Sequence, residues 1–248
     1  MKVKSILVSQ PEPNTVKSPY FELADKNGLK IDFRPFIQVE GVPAKEFRQT
    51  RIQILEHTAV IFTSRTAIDH FFRISKELRL AIPDSMKYFC ISEATAFYLQ
   101  KYIVYRKRKI FYADGRFNDL VNVMKKHKSE TFLVPLSDIH KQEIPELLES
   151  EGYKYTKAIL YRTVSSDLSY LSDIKYDVLV FFSPSGIKSL FQNFPDFRQD
   201  NTRIACFGPA TAKAIKDAGL RLDIQAPTAQ APSMTMALEQ YIKKNNKN

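Results

Sequence analysis

The sequence predicts an α/β protein of two similar domains, each a parallel sheet flanked by helices, and three observations carry that expectation. The segment Ala59-Val60-Ile61-Phe62-Thr63-Ser64-Arg65-Thr66-Ala67-Ile68 returns as Val178-Leu179-Val180-Phe181-Phe182-Ser183-Pro184-Ser185-Gly186-Ile187. Likewise Cys90-Ile91-Ser92-Glu93-Ala94-Thr95-Ala96 returns as Cys206-Phe207-Gly208-Pro209-Ala210-Thr211-Ala212. Order and spacing are both kept, at an offset near half the chain, which means two domains of one plan rather than a solenoid of short repeats. Third, the apolar runs are continuous rather than alternating and are separated by helical spacings, the mark of strands buried on both faces.

Taken in order, Ile6 to Val8 form a strand. Ser18-Pro19 then supply an N-cap and a proline at the first helical position, and Gly28 stops that helix. Phe47, Arg51, Ile54 and Leu55 fall on one helical face. A strand at Ala59 to Phe62 leads through a Thr/Ser loop into a helix marked by Ile68, Phe71, Phe72 and Ser75 to Leu78. Tyr88 to Ile91 make the next strand, with a helix opening near Ala94. Two further helices carry Phe117, Leu120, Val121 and Met124, and then Ile144, Leu147 and Leu148 before Gly152. The second copy repeats the plan. Its helix carries Ile187, Leu190, Phe191 and Phe194, its next strand runs Arg203 to Phe207, and another helix opens near Ala210.

Residues 168–248 alone are too short to match residues 36–167. Adding residues 1–35 balances the halves, so the expected division is a discontinuous domain, 1–35 with 168–248, and an inserted domain, 36–167. The chain then crosses between them twice, near Phe33 to Glu40 and near Ile159 to Val164–Ser166.

Composition narrows the function classes. The chain has 248 residues, 44% of them hydrophobic, enough for two cores. The opening apolar run is too short for a signal peptide, and no stretch nears the roughly 20 apolar residues of a membrane span, so a cytoplasmic protein with no membrane partner is expected. Cys90 and Cys206 occupy matching strand positions and read as structural thiols. His57, His70, His127 and His140 show no ligand spacing, so no metal is expected. Lys and Arg number 37 against 27 acids, a formal charge of +10, concentrated in Arg106-Lys107-Arg108-Lys109 and Lys125-Lys126-His127-Lys128. Such a field attracts polyanions. No nucleic-acid-binding signature accompanies it, which leaves a small polycarboxylate or a merely solvated surface as the readings of these runs.

In open α/β sheets, ligands bind beyond the carboxyl ends of the strands, where loops enter helix N-termini. The four repeated loops lie there. They offer Ser64, Arg65 and Thr66; Ser92 and Thr95; Ser183, Pro184, Ser185 and Gly186; and Gly208, Pro209, Ala210 and Thr211. Each could be no more than a capped helix start. Four in matching positions facing an interdomain cleft suit a ligand with several carboxylates or phosphates. None has a dinucleotide or P-loop pattern, which disfavours NAD and ATP.

Phe62-Thr63-Ser64, Tyr161-Arg162-Thr163, Phe181-Phe182-Ser183-Pro184-Ser185-Gly186, Gly208-Pro209-Ala210-Thr211-Ala212 and Ala226-Pro227-Thr228 together resemble the uroporphyrinogen-III synthase family, over Ile6 to about Tyr241. The resemblance implies a cofactor-free lyase of tetrapyrrole (porphyrin and heme) biosynthesis. It would close linear hydroxymethylbilane, which carries eight carboxylates, with inversion of the last pyrrole ring through a spiro intermediate. It further implies two α/β domains joined by a two-stranded linker, a monomer, and at most a transient contact with the upstream hydroxymethylbilane synthase. By the motif match, Tyr161 is the expected general acid, and Ser64, Ser183 and Thr211 are expected carboxylate contacts. Departures from the family pattern stand at Gln10, where Arg is frequent in the first loop, at Arg65 in place of Pro, at Ser92 in place of Gly, and at Ser137-Asp138 in place of a glycine-rich loop. Arg65 would replace the cation missing at Gln10. These departures keep open a catalytically silent tetrapyrrole- or polyanion-binding protein as the alternative.

Overall fold

The computed structural model describes residues 2–15, 17–171 and 174–246. Its strands are β1 (Ser5–Val8), β2 (Lys30–Phe33), β3 (Ile37–Gly41), β4 (Ala59–Phe62), β5 (Lys87–Cys90), β6 (Ile110–Tyr112), β7 (Thr131–Ser137), β8 (Lys154–Ser165), β9 (Val178–Phe181), β10 (Arg203–Phe207) and β11 (Ile224–Ala226). The α-helices are α1 (Pro19–Asn27), α2 (Ala44–Gln49), α3 (Arg65–Glu77), α4 (Glu93–Tyr98), α5 (Phe117–Met124), α6 (Glu143–Ser150), α7 (Pro184–Asn193), α8 (Pro209–Asp217) and α9 (Met234–Asn246).

Two compact units emerge. One runs to Gln38 and resumes at Val164; the other is Val39–Thr163. The first holds a sheet in the order β2-β1-β9-β10-β11, and the second holds β3-β8-β7-β4-β5-β6. Every pairing among β1, β2, β9, β10 and β11 is parallel, as is every pairing among β4 to β8. The repeated segments make β4 the counterpart of β9 and β5 the counterpart of β10. With those superposed, β8-β7-β4-β5-β6 lies on β2-β1-β9-β10-β11 strand for strand. The two units therefore repeat one spatial order of strands, each in its own sheet, but begin it at different points along the chain. The first unit starts with the pair β1–β2; the second ends with the equivalent pair, β7–β8. This circular permutation is why the direct sequence repeat stops after two strand-helix units.

Both sheets are covered on both faces, because successive side chains of a strand point to opposite sides. In β4, Val60 and Phe62 enter one core and Ala59 and Ile61 the other. In β1, Ile6 and Val8 face one core and Leu7 the opposite one. Cys90 and Cys206 are buried in these cores as free thiols. Burial pushes the Cys90 thiol up to about 12, and burial also raises Cys206 against the opposing influence of Lys216. Only thiolate reacts, so aromatic disulfide reagents are expected to leave the native protein unlabelled over the time in which guanidinium-unfolded protein titrates two thiols. Rapid labelling of either cysteine in native protein would contradict this.

The caps expected of α1 are present: Ser18 accepts from the Tyr20 amide and Gly28 closes the helix at φ 63°. The helix expected through Phe47, Arg51, Ile54 and Leu55 is corrected. The structure ends α2 at Gln49, sets Arg51 at φ 59° and leaves only a 3₁₀ turn at Ile54–Glu56. Thr50 is the cause, since its hydroxyl donates to the Phe47 carbonyl at 2.7 Å and accepts the Ile52 amide at 3.3 Å, an alternative to continued helix.

Candidate functional site

In each sheet the strand order reverses at one point, where the connections leave in opposite directions and a crevice opens at the carboxyl ends. In the second unit that point lies between β4 and β7, and a cavity of about 530 Å³ occupies it. Thr63 and Ser64 enter from the end of β4, Leu136 and Ser137 from the end of β7, and Tyr161 from β8. The N-termini of α5 and α6 complete the wall, bringing Arg116 and Lys141 with them. Neither of those helices has a side-chain cap. The first amides of α5 therefore remain available to an anion, whereas α6 offers only that of Glu143, because the Ile144 amide donates to the Lys141 carbonyl at 3.3 Å and Pro145 has no N–H. Ile91, Phe117, Ile139 and Ile144 give the cavity an apolar surface between its polar ends.

Tyr161 is 9% exposed, and its hydroxyl stands 3.4 Å from the Ser64 hydroxyl. Its ring stacks on His70, with centroids 5.0 Å apart and an interplanar angle of 16°. Burial and the Arg73 charge hold the His70 imidazole below its ordinary value, which favours the neutral ring, and its Nδ1 accepts from Arg73 Nε at 3.1 Å. A neutral ring presents no cation to the phenol. Ser64 meanwhile caps α3 by accepting the Ala67 amide at 3.0 Å.

Other expected residues of this unit are placed differently. The Arg65 guanidinium sits over the Tyr98 ring at 5.5 Å, and Tyr98 donates to Asp69. Thr66 is half-buried in the first turn of α3. Ser92 caps α4, and its hydroxyl lies 3.0 Å from that of Thr95. None of Arg65, Thr66, Ser92 and Thr95 lines the cavity. Arg116, Asn118, Ser137, His140 and Lys141 do, and the sequence reading did not single them out as ligand contacts. His140 donates through Nδ1 to the Ser137 carbonyl at 2.9 Å, and its buried Nε2 has no partner among the described residues.

In the first unit the reversal falls between β1 and β9. Gln10 is exposed just beyond β1. Ser183 caps α7, accepting the Gly186 amide at 3.2 Å, with Pro184 and Ser185 in the first turn. Gly186 is there for want of room: a Cβ would lie 3.3 Å from the Phe181 ring and 3.9 Å from the Ser9 hydroxyl. Gly208 precedes α8 at φ 88°, where a side chain would be strained, followed by exposed Pro209 and Ala210 and by buried Thr211. Gly208 provides no side-chain cap, so this helix start too keeps free amides. Beside these loops Phe182 and Phe207 stack at 6.2 Å, with Phe207 37% exposed, an aromatic surface at matching positions of adjacent strands.

An α/β protein built from two permuted copies of one sheet arrangement is the class these features define. The family model for uroporphyrinogen-III synthase HemD matches residues 18–236, and the chain belongs to that family. Uroporphyrinogen-III synthase of Saccharomyces cerevisiae is 26% identical over 143 residues, which are 52% of this chain and 52% of the yeast protein. The match thus spans about half the length of that relative. Among solved structures, uroporphyrinogen-III synthetase from Helicobacter pylori is similar with a TM-score of 0.62 and 17% identity, covering 98% of this chain and 100% of that one. A mutant uroporphyrinogen III synthase from Thermus thermophilus gives 0.53 and 15%, covering 99% and 100%. These structural likenesses establish the fold.

Proposed function

We propose that this protein catalyses the family reaction, cyclisation of hydroxymethylbilane to uroporphyrinogen III. The observation that carries the reading is the cavity at the β4–β7 reversal, where a buried phenol, two helix starts without side-chain caps, the cations Arg116 and Lys141, the Glu143 carboxylate and an apolar wall meet. A pyrrole ring with its acetate and propionate has the matching chemistry: an apolar disc carrying two anions. In this reading the ring lies against Leu136 and Ile139, and its carboxylates are bound by Arg116 with the α5 amides and by Lys141 with the Glu143 amide at the start of α6. Ser64, Ser183 and Thr211 are assigned as further carboxylate contacts at their own helix starts, and the Phe182–Phe207 surface as an apolar rest for another ring.

Tyr161 is assigned as the general acid. Its proton would go to the departing hydroxyl of the terminal hydroxymethyl group, releasing water and leaving an azafulvenium cation beside the tyrosinate. The final ring then attacks through its already substituted carbon, giving a spiro intermediate. The bond from that carbon to its original methylene bridge breaks to form a second azafulvenium, which recloses on the free α carbon of the inverted ring, whose proton returns to Tyr161. The free bilane closes without inversion, so the protein's task is control of geometry, supplied by position and by fixed dipoles. No metal or organic cofactor enters this scheme. We place the activity in the cytoplasm and in a monomer. No helix among the described residues is long and apolar enough to cross a membrane, and no acid, His and Cys group among them could hold a metal ion.

The test is to generate hydroxymethylbilane in place with its own synthase, add this protein, oxidise, and resolve the type I and type III isomers by chromatography. An excess of type III supports the reading; type I alone from folded protein leaves a tetrapyrrole- or polyanion-binding protein. Within that assay, Arg116→Ala and Lys141→Ala are each expected to raise KM roughly tenfold with kcat changed less than about threefold, as loss of a charge-assisted contact made equally to substrate and transition state requires. An unchanged KM in both variants would remove the carboxylate assignment. Arg65→Ala is expected to leave KM nearly unchanged, since its guanidinium is committed to Tyr98.

A further inference from the structure

Tyr161 reaches Ser64 only because β8 breaks its own alternation. Ala158 and Leu160 point into the core shared with Val60, Phe62 and Phe71, and strict alternation would send Tyr161 to the other face. Tyr161 nevertheless lies in that same core. The reason is in the register: Pro135 pairs with Ala158 and Leu136 with Ile159, but Ser137 pairs with Tyr161, so one residue of β8 is extra at this point. Such a bulge re-aims the side chain that follows it.

A bulge frees backbone groups that must find partners. On the β3 edge of β8, away from the bulged pairing, the Leu160 carbonyl accepts the Val42 amide at 2.9 Å and the Arg73 guanidinium at 3.2 Å. On the far side the partners come from one residue. The Asp138 amide donates to the Tyr161 carbonyl at 3.1 Å, and the Asp138 carboxylate accepts the Thr163 amide at 3.0 Å. The same carboxylate oxygen accepts the Ile139 amide at 2.9 Å and the Ser137 hydroxyl at 2.9 Å. Burial works against its charge, but these donors and nearby Arg162 outweigh it and hold the carboxyl below its ordinary value. Asp138 thus fastens the end of β7 and the loop that bears His140 to β8 at Tyr161 and Thr163, immediately beyond the bulge.

We propose that Asp138 is a positioning residue: it fixes the β8 bulge and thereby aims the Tyr161 phenol at Ser64. Its carboxylate acts through hydrogen bonds to the backbone and not on the substrate, whose carboxylates it can only repel. The catalytic part of this inference rests on the role given above to Tyr161.

The test uses Asp138→Ala, Asp138→Asn and Tyr161→Phe in the full chain, with 3-fluorotyrosine incorporated and the residue-161 fluorine signal identified by its disappearance in Tyr161→Phe. Asp138→Ala is expected to shift or broaden that signal and to slow type III formation roughly 10- to 100-fold, the penalty for a reacting group displaced by about an ångström. Asp138→Asn keeps the oxygen that accepts the Thr163 amide, so it is expected to restore both readouts to within about threefold. In a Tyr161→Phe background, Asp138→Ala is expected to add no further loss. Should the alanine variant fail to fold, Asp138→Ser, too short to span to Thr163, takes its place with the same expectation. An unmoved fluorine signal in the alanine or serine variant would overturn the proposal. So would a rate loss that multiplies fully with that of Tyr161→Phe, or an asparagine variant as impaired as alanine. If the wild type makes no type III product, the synthase reading fails by itself, and the fluorine signal alone decides whether Asp138 positions Tyr161.

Discussion

Replacing Tyr161 by Phe is expected to lower the rate of type III formation about 10²- to 10⁴-fold, the usual worth of a positioned general acid, while KM stays within about threefold. The expected size follows from what the substitution removes. Phenylalanine keeps the ring that stacks on His70 and packs in the core, so the cavity wall is preserved. Only the hydroxyl beside Ser64 is lost, and with it the proton donor within reach of a leaving hydroxyl. Because the free bilane closes without inversion, the variant's product is expected to pass from mainly type III to mainly type I as the enzymatic route slows below the spontaneous one. Type III rates measured against substrate concentration separate this from a general loss of binding: a binding defect is overcome by more substrate, a chemical one is not. Wild-type kcat in Tyr161→Phe would show that water or a helix N-terminus supports the departing group and that Tyr161 only shapes the wall. Ser64→Ala serves as the control. Its main structural duty is to cap α3, so it is expected to cost about 1 kcal/mol of stability, with a smaller effect on rate than Tyr161→Phe.

Much of the scaffold was legible because its signals are local. Continuous apolar runs gave β4, β5, β9 and β10, and Ser18-Pro19 with Gly28 gave α1 to the residue. The repeat exposed the four loops at carboxyl strand ends, and two of them, after β4 and β9, flank the points where strand order reverses. The rest of the site depends on long-range placement. Arg116 and Lys141 precede helices with no matched counterpart in the repeat, and only the permuted order β8-β7-β4 brings them beside Ser64. The aim of Tyr161 depends on one extra residue in β8, and its trace in the sequence is slight: after Ala158 and Leu160 the apolar alternation stumbles at Tyr161. Arg65 was legible as a cation at the right loop, yet its direction is set by Tyr98, far along the chain. Phe182 and Phe207 did carry a signal, an aromatic residue beside the loop in two repeated segments, but each reads equally well as the last residue of a buried strand.

The permuted pair of sheets also makes a prediction about stability. Phe62→Ala is expected to cost about 3–5 kcal/mol, the range for deleting a fully buried phenylalanine. Phe62 is 0% exposed, meets Phe71 edge-on at 5.5 Å and stacks on Tyr88 at 6.1 Å, so the void would open where three aromatic rings meet, between β4, β5 and α3. Those neighbours are held by their own strands and helix, which limits collapse into the hole and places the cost toward the upper part of the range. Each unit has its own pair of cores, and Phe62 contributes only to one of the two in Val39–Thr163. Amide exchange is therefore the informative measurement. Protection of β4, β5 and α3 is expected to fall by about 10²- to 10³-fold or more, as 3–5 kcal/mol requires, while β9 and β10 keep theirs. The counterpart Phe181→Ala, at the matching position of β9 and packed edge-on against Phe36 at 5.5 Å, is expected to show the reverse pattern. Equal loss in both units from either substitution would mean that the two sheets open as a single cooperative structure despite their separate cores.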